Sequence, residues 1–180
     1  MTEELKTQLS QFLQYLAESI DIPDNLYERA ERRYQSIGDW LDREASSVAN
    51  HEPNIYAQGS FRIGTVVKPI TDSDEYDIDL VCELNLSKQQ VTQKQLKSLV
   101  GNELISYADA HGMKEPVKEG RRCWTLDYAD DARFHMDVLP AVPDGESFRF
   151  LLESCDRSSP YQDTAIAITD NTHPNYDRVS

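Results

Sequence analysis

Leu5, Leu9, Phe12, Leu13, Leu16 and Ile20 fall three or four positions apart, which predicts an N-terminal helix with one apolar stripe. Leu26, Ala30, Tyr34, Ile37, Leu41 and Val48 predict a second, longer helix after Pro23, and both stripes are expected to contact a core. A short strand over 54–57 then leads into a Gly59-Ser60 turn, with a single helical turn after it. Thr92 with Gln95 reads as a capping box opening a helix through Leu96, Leu99, Val100, Leu104 and Ala108, which Gly112 can end. Further strands are predicted near 122–128, 134–139 and 165–169, with polar, turn-rich loops at 143–146 and 154–163. Helices first, then strands interrupted by a helix, predict an α+β fold: a mixed β-sheet with helices packed on it.

The pattern changes where chemistry enters. From Tyr76 the side chains alternate, so Tyr76, Ile78, Leu80, Cys82 and Leu84 face one way while Asp77 and Asp79 face the other. With 32 acidic residues in 180, that spacing alone carries little. Asp72 and Asp74 share it, but they follow Pro69 and Thr71 in turn-like sequence and read as solvated loop. Asp77 and Asp79 instead interrupt an apolar strand, where an unpaired carboxylate is costly and needs a cation or an ion-pair partner. A second strand, RFHMDVLP over 133–140, sets Asp137 opposite Phe134, Met136 and Val138, so three acids on neighbouring strands make a candidate site. His135 shares that face, but with no second histidine at ligand spacing it reads as structural.

Such a set suits nucleotidyl transfer. A nucleoside triphosphate carries about four negative charges, so a hydroxyl attacks its α-phosphorus only when cations neutralise the oxygens. Magnesium prefers oxygen ligands; Asp77 and Asp79 are placed to bridge two such ions, and Asp137 to hold the one that activates the attacking hydroxyl. Gly59 lets the backbone approach the terminal phosphates, and the Ser60 hydroxyl can donate to them.

Gly59-Ser60, then Asp77-Ile78-Asp79, then Asp137 on a later strand resembles the signature of the polymerase-β-type nucleotidyltransferase superfamily. The longer strings GSFRIGTVVKPI and EYDIDLVCEL, with AIAITDNTHPNYDRVS near the C-terminus, are similar to the bacterial cGAS/DncV-like nucleotidyltransferases (CD-NTases). The resemblance implies a polymerase-β-like core and synthesis of a cyclic oligonucleotide second messenger from NTPs in bacterial anti-phage (CBASS-type) signalling. It implies attack by a 3′ or 2′ hydroxyl with release of pyrophosphate, two Mg²⁺ ions (Mn²⁺ substituting) on Asp77, Asp79 and Asp137, and the triphosphate on Gly59 and Ser60. Thr65 lies in the same signature. It further implies one catalytic domain over 1–180: N-terminal helices over 1–50, the catalytic sheet over 54–170, and in 171–180 the start of a link to a helical lobe that the sequence lacks.

Composition narrows the partners. A net charge of −14 argues against holding long nucleic acid on a broad basic face, but suits small metal-bound nucleotides. Arg62, Lys68, Arg121, Arg122 and Arg133 are local candidates for phosphate contact. Tyr56, Tyr76, Trp124 and Tyr161 are read as core rather than base-stacking groups. No apolar run is long enough to span a membrane and the N-terminus is unlike a secretory signal, so the cytoplasm is expected. Cys82, Cys123 and Cys155 are odd in number and lack C-x-x-C spacing, which fits reduced thiols, with Cys82 in the core. Two alternatives stay open: a minimal toxin-antitoxin-type nucleotidyltransferase modifying protein or RNA, and an inactive nucleotide-binding lobe. A regulatory protein partner also stays open.

Overall fold

The structure, a computed structural model, describes residues 1–69, 71, 75–128, 134–155, 157 and 159–179. The acidic pair Asp72 and Asp74 and the candidate cation Arg133 lie outside the described residues.

Two helices lead the chain. Helix α1 (Glu3–Ile20) starts at Thr2, whose hydroxyl accepts from the Leu5 N–H, and α2 (Asp24–Asp42) starts after Pro23. Strand β1 (Asn54–Ala57) runs into the short helix α3 (Gly59–Ile63), which Gly64 ends in the left-handed conformation. Strand β2 (Tyr76–Glu83) follows, then α4 (Gln93–Ala110), opened by the predicted Thr92–Gln95 capping box. Strands β3 (Lys118–Glu119), β4 (Trp124–Tyr128) and β5 (Phe134–Pro143), helix α5 (Gly145–Ser154) and β6 (Ile166–Ile168) complete the set.

The sheet order is β1-β2-β5-β4-β3, with β6 pairing the far end of β5. Only β2 and β5 run parallel among these pairings; the other neighbours are antiparallel. Ile78, Leu80, Cys82, Phe134, Met136 and Val138 share one sheet face, buried against Ile37 and Leu41 of α2 and Leu96, Val100 and Leu104 of α4. That burial fixes the other face. A one-residue slip of β2 would drive Asp77 and Asp79 into the core and expel Ile78 and Leu80, each worth about 1.5–3 kcal/mol when buried. Helix α4 approaches the sheet at Gly101, where an added Cβ would fall 2.2 Å from Trp124 Cζ2. The Trp124 indole N–H donates to the Lys97 carbonyl at 2.9 Å.

Three expectations are corrected. The α1 stripe does not enter the core: Leu5, Leu9, Phe12, Leu13, Leu16 and Ile20 are all exposed, because α1 touches the rest of the chain mainly at its C-terminal end, where Lys68 N–H donates to the Ile20 carbonyl. Helix α2 stops at Asp42 rather than running to Val48, since Arg43 is extended; Val48 reaches the core from the following turn. Positions 143–146 are not a loop: Pro143 ends β5, and Gly145 and Glu146 begin the unpredicted α5, none of whose residues is buried.

Candidate active site

Two rows of side chains cross three strands on the face away from the core. The β2–β5 register sets Asp79 beside Asp137, and the β5–β4 register sets Asp137 beside Thr125. One step back, Asp77 lies beside His135 and His135 beside Asp127. The first row and Asp77 form the acidic site: carboxylate oxygens of Asp77, Asp79 and Asp137 all lie within 4.8 Å of one another. The three predicted acids therefore converge.

Gly59 borders this cluster for a reason only glycine meets. Its φ is +61°, and a Cβ there would sit 2.6 Å from Asp79 Oδ2. Gln58 N–H donates to the Asp79 carbonyl at 2.9 Å, which ties the turn to β2. Ser60 is half-buried on the first turn of α3, and its carbonyl accepts the Thr65 N–H at 2.9 Å; Thr65 itself is exposed.

The electrostatics are those of an anionic cluster. Burial, then the neighbouring Asp137 charge, push the Asp77 carboxyl above the ordinary aspartate range, and His135 partly opposes the shift. Burial, then Asp77 and Asp137, push Asp79 up as well. Among the described residues no lysine or arginine forms an ion pair with any of the three. Asp137 is the best held: the Thr125 hydroxyl donates to Oδ1 at 2.5 Å and the Cys123 thiol to Oδ2 at 3.2 Å. Burial, then the hydrogen bond to Asp137, push the Cys123 thiol up to about 11, so it remains a donor at neutral pH.

The residues fit a divalent cation: three convergent oxygen donors, repelling one another, beside a backbone cradle that a Cβ would fill. His135 turns toward a neighbouring group, with Nδ1 2.8 Å from Asp127 Oδ1 and 3.2 Å from Glu75 Oε2, while Lys118 Nζ holds Asp127 Oδ2 at 2.6 Å. Of the candidate phosphate cations, Arg121 grips Asp170 with two nitrogens, Arg122 lies 3.7 Å from the same carboxylate, and Lys68 Nζ donates to the Ser19 carbonyl. Arg62 lies over the Tyr56 ring, and the Tyr56 hydroxyl donates to Glu83 at 3.1 Å. Tyr76 packs on Phe134 and Trp124 on α4, whereas Tyr161 is exposed. Thr125 and Lys97 were not singled out from sequence, and Cys123 only as a reduced thiol. The alternation of Cys123, Thr125 and Asp127 against Trp124 and Leu126 is the local signal that puts the first two on the site face.

A five-element sheet path with a parallel central pair, two acids on one strand and a third on its parallel partner, and a Gly-Ser turn beside them define a polymerase-β-like nucleotidyltransferase core. Residues 53–140 match the family model "Cyclic GMP-AMP synthase DncV-like, nucleotidyltransferase domain". The c-di-GMP synthase of Roseivirga ehrenbergii is 31% identical over 140 residues, covering 78% of this chain and 36% of that protein. The structure of the Bradyrhizobium diazoefficiens CD-NTase CdnG in complex with GTP aligns with a TM-score of 0.60 at 28% identity, over 74% of this chain and 37% of that one. The Vibrio cholerae di-nucleotide cyclase DncV, in a structure with ATP and GTP, shares the fold with a TM-score of 0.57 at 12% identity, over 89% and 56% of the two chains. The chain belongs to the bacterial DncV-like nucleotidyltransferases, the CD-NTases. It spans about a third of the length of the curated relatives it matches. Among the described residues no helix is long and apolar enough to cross a membrane.

Proposed function

We propose that this chain carries the catalytic half of a cyclic oligonucleotide synthase, one that joins NTPs in a bacterial anti-phage signalling system of the CBASS type. The observation that carries the reading is the convergence of Asp77, Asp79 and Asp137 within 4.8 Å beside Gly59. The names of the relatives, a c-di-GMP synthase and the cyclic dinucleotide synthase CdnG, supply the product class.

The chemistry assigned to the site is attack of a ribose 3′ or 2′ hydroxyl on the α-phosphorus of an NTP, with pyrophosphate leaving. Magnesium, or manganese in its place, would be held by Asp77, Asp79 and Asp137, and supplies neutralisation of the phosphate oxygens and a lower pKa for the attacking hydroxyl. Burial and neighbouring carboxylates raise the pKa of both Asp77 and Asp79, so the pair favours a dication over protons as pH rises. Gly59 leaves room for a triphosphate to approach the backbone, and Ser60 offers its hydroxyl and N–H as donors.

The test is incubation of the chain with all four labelled NTPs and Mg²⁺ or Mn²⁺, beside an Asp77→Asn/Asp79→Asn variant, followed by phosphatase and chromatography. A phosphatase-resistant nucleotide made only by the unmutated chain is the expected product. Label transferred instead to protein or RNA would replace this reading with the toxin-antitoxin type. Metal-dependent NTP binding without pyrophosphate release would make the chain a nucleotide-binding lobe.

A further inference from the structure

We propose that Thr125 and Cys123 are positioning residues for the Asp137 carboxylate, one donor to each oxygen, and that the buried Lys97 fixes the turn from which Cys123 points. This rests on the reading of Asp137 as a metal ligand and adds a set of residues that hold it in register.

The geometry starts from the strand pairing. Thr125 is the direct cross-strand neighbour of Asp137, and Cys123 precedes it by two positions on the same face. Both are close enough to donate, at 2.5 Å to Oδ1 and 3.2 Å to Oδ2. A carboxylate oxygen has two lone pairs, so each keeps one for a cation. Asp79 stands on the other side of Asp137, and Asp77 is close by; repulsion from both would turn a loosely held Asp137 carboxylate away. Donors on the β4 side anchor it from behind without competing for the space between the acids.

Cys123 is itself held. It closes a turn in which the Gly120 N–H donates to the Cys123 carbonyl at 3.0 Å, and a Cβ at Gly120 would lie only 3.0 Å from the Cys123 sulfur. The Lys97 ammonium, on a side chain with no exposed surface, donates to the Gly120 carbonyl at 2.5 Å and the Arg121 carbonyl at 2.9 Å. Burial of that charge is costly, and Glu119, 3.5 Å away, offsets part of it. The route from α4 to the acid is therefore continuous: Lys97, the 120–123 turn, the Cys123 thiol and the Thr125 hydroxyl, then Asp137.

The experiment measures Mn²⁺ binding to the full 180-residue chain by electron paramagnetic resonance of the free ion, with a thermal melt of each variant. Asp137→Asn sets the scale. Thr125→Val is expected to weaken Mn²⁺ binding by about tenfold or more, the usual effect of removing a partner of a metal ligand. Cys123→Ala is expected to weaken it by roughly three- to fivefold, since a thiol is a weaker donor. Thr125→Ser and Cys123→Ser, which keep a donor, are expected to bind as the unmutated chain does. If Asp137→Asn weakens binding but folded Thr125→Val and Cys123→Ala do not, the positioning role is wrong. Should Thr125→Val fail to fold, the Cys123→Ala and Cys123→Ser pair decides in the same way. If Asp137→Asn itself leaves binding unchanged, Asp137 is not a ligand, and the proposal falls with its premise.

Discussion

Replacing Asp79 by Asn removes a charge from the acidic cluster while keeping the shape of the side chain, so the metal-free fold is expected to become more stable. Two unit charges 4.8 Å apart repel by about 0.9 kcal/mol in water and by about 3.5 kcal/mol at an effective dielectric of 20. Asp79 meets two such neighbours, but it is only half-buried and salt screens the pairs, so the water-like end governs and the expected gain is about 1–2 kcal/mol. For a chain of this size that is roughly 3–6 °C in Tm. The sign follows from the direction of the shift. A carboxyl whose folded pKa is raised contributes stability while protonated and loses it as pH rises through that pKa. The advantage of Asn is therefore full at neutral pH and shrinks as pH falls toward the ordinary aspartate range. The assay is a thermal melt in EDTA across that range, repeated in millimolar Mg²⁺. With Mg²⁺ the order is expected to reverse, because ligand binding to the folded state stabilises only the chain that keeps the site. An Asp79→Asn chain that melts at or below the unmutated one in EDTA at neutral pH would refute the reasoning.

Gly59→Ala sets a Cβ 2.6 Å from Asp79 Oδ2 at a φ of +61°. A destabilisation of about 1–2 kcal/mol is expected by chemical denaturation, with metal-dependent nucleotide binding weakened further, in a titration calorimeter, than stability alone explains. Gly101→Ala drives a Cβ to 2.2 Å from Trp124 Cζ2, and a loss of about 1–3 kcal/mol, with a shifted tryptophan emission, is expected. For Glu103, burial pushes the carboxyl up, yet the Ser47 N–H at 2.7 Å and Arg43 at 2.8 Å together hold it below its ordinary range. Stability from a depressed carboxyl is present above its unfolded pKa and lost as pH falls through its folded one, so Glu103→Gln is expected to cost most at neutral pH and less in acid, by urea melts at both.

The legible parts of the fold were those written in local periodicity. The alternation from Tyr76 onward and from Phe134 onward assigned Asp77, Asp79 and Asp137 to one face, and burial of the opposite face gives that alternation its force. The capping box at Thr92 was equally local. Register was not legible: nothing near Asp137 says that Thr125 is its cross-strand neighbour or that Cys123 reaches its second oxygen, because both follow from pairing. The α1 stripe shows the complementary failure. Leu9 and Phe12 at helical spacing say that a face is apolar, not what covers it, and here that face is exposed. Helix α5 was missed because Pro143 and Gly145 read as turn residues where they instead end a strand and begin a helix.

The parallel pairing of β2 with β5 carries a kinetic consequence. Parallel neighbours need a long crossover, and about 60 positions separate Asp77 from Asp137, with the whole of α4 and β4 between them. During synthesis the first two acids leave the ribosome well before the third, and no local hairpin can unite them. Closing so long a loop carries an entropic cost, which packing of the intervening helix and strand offsets. Asp137 joins its partners only when β5 pairs with β2, so a chain held short of β5 would present a carboxylate pair but no three-acid centre.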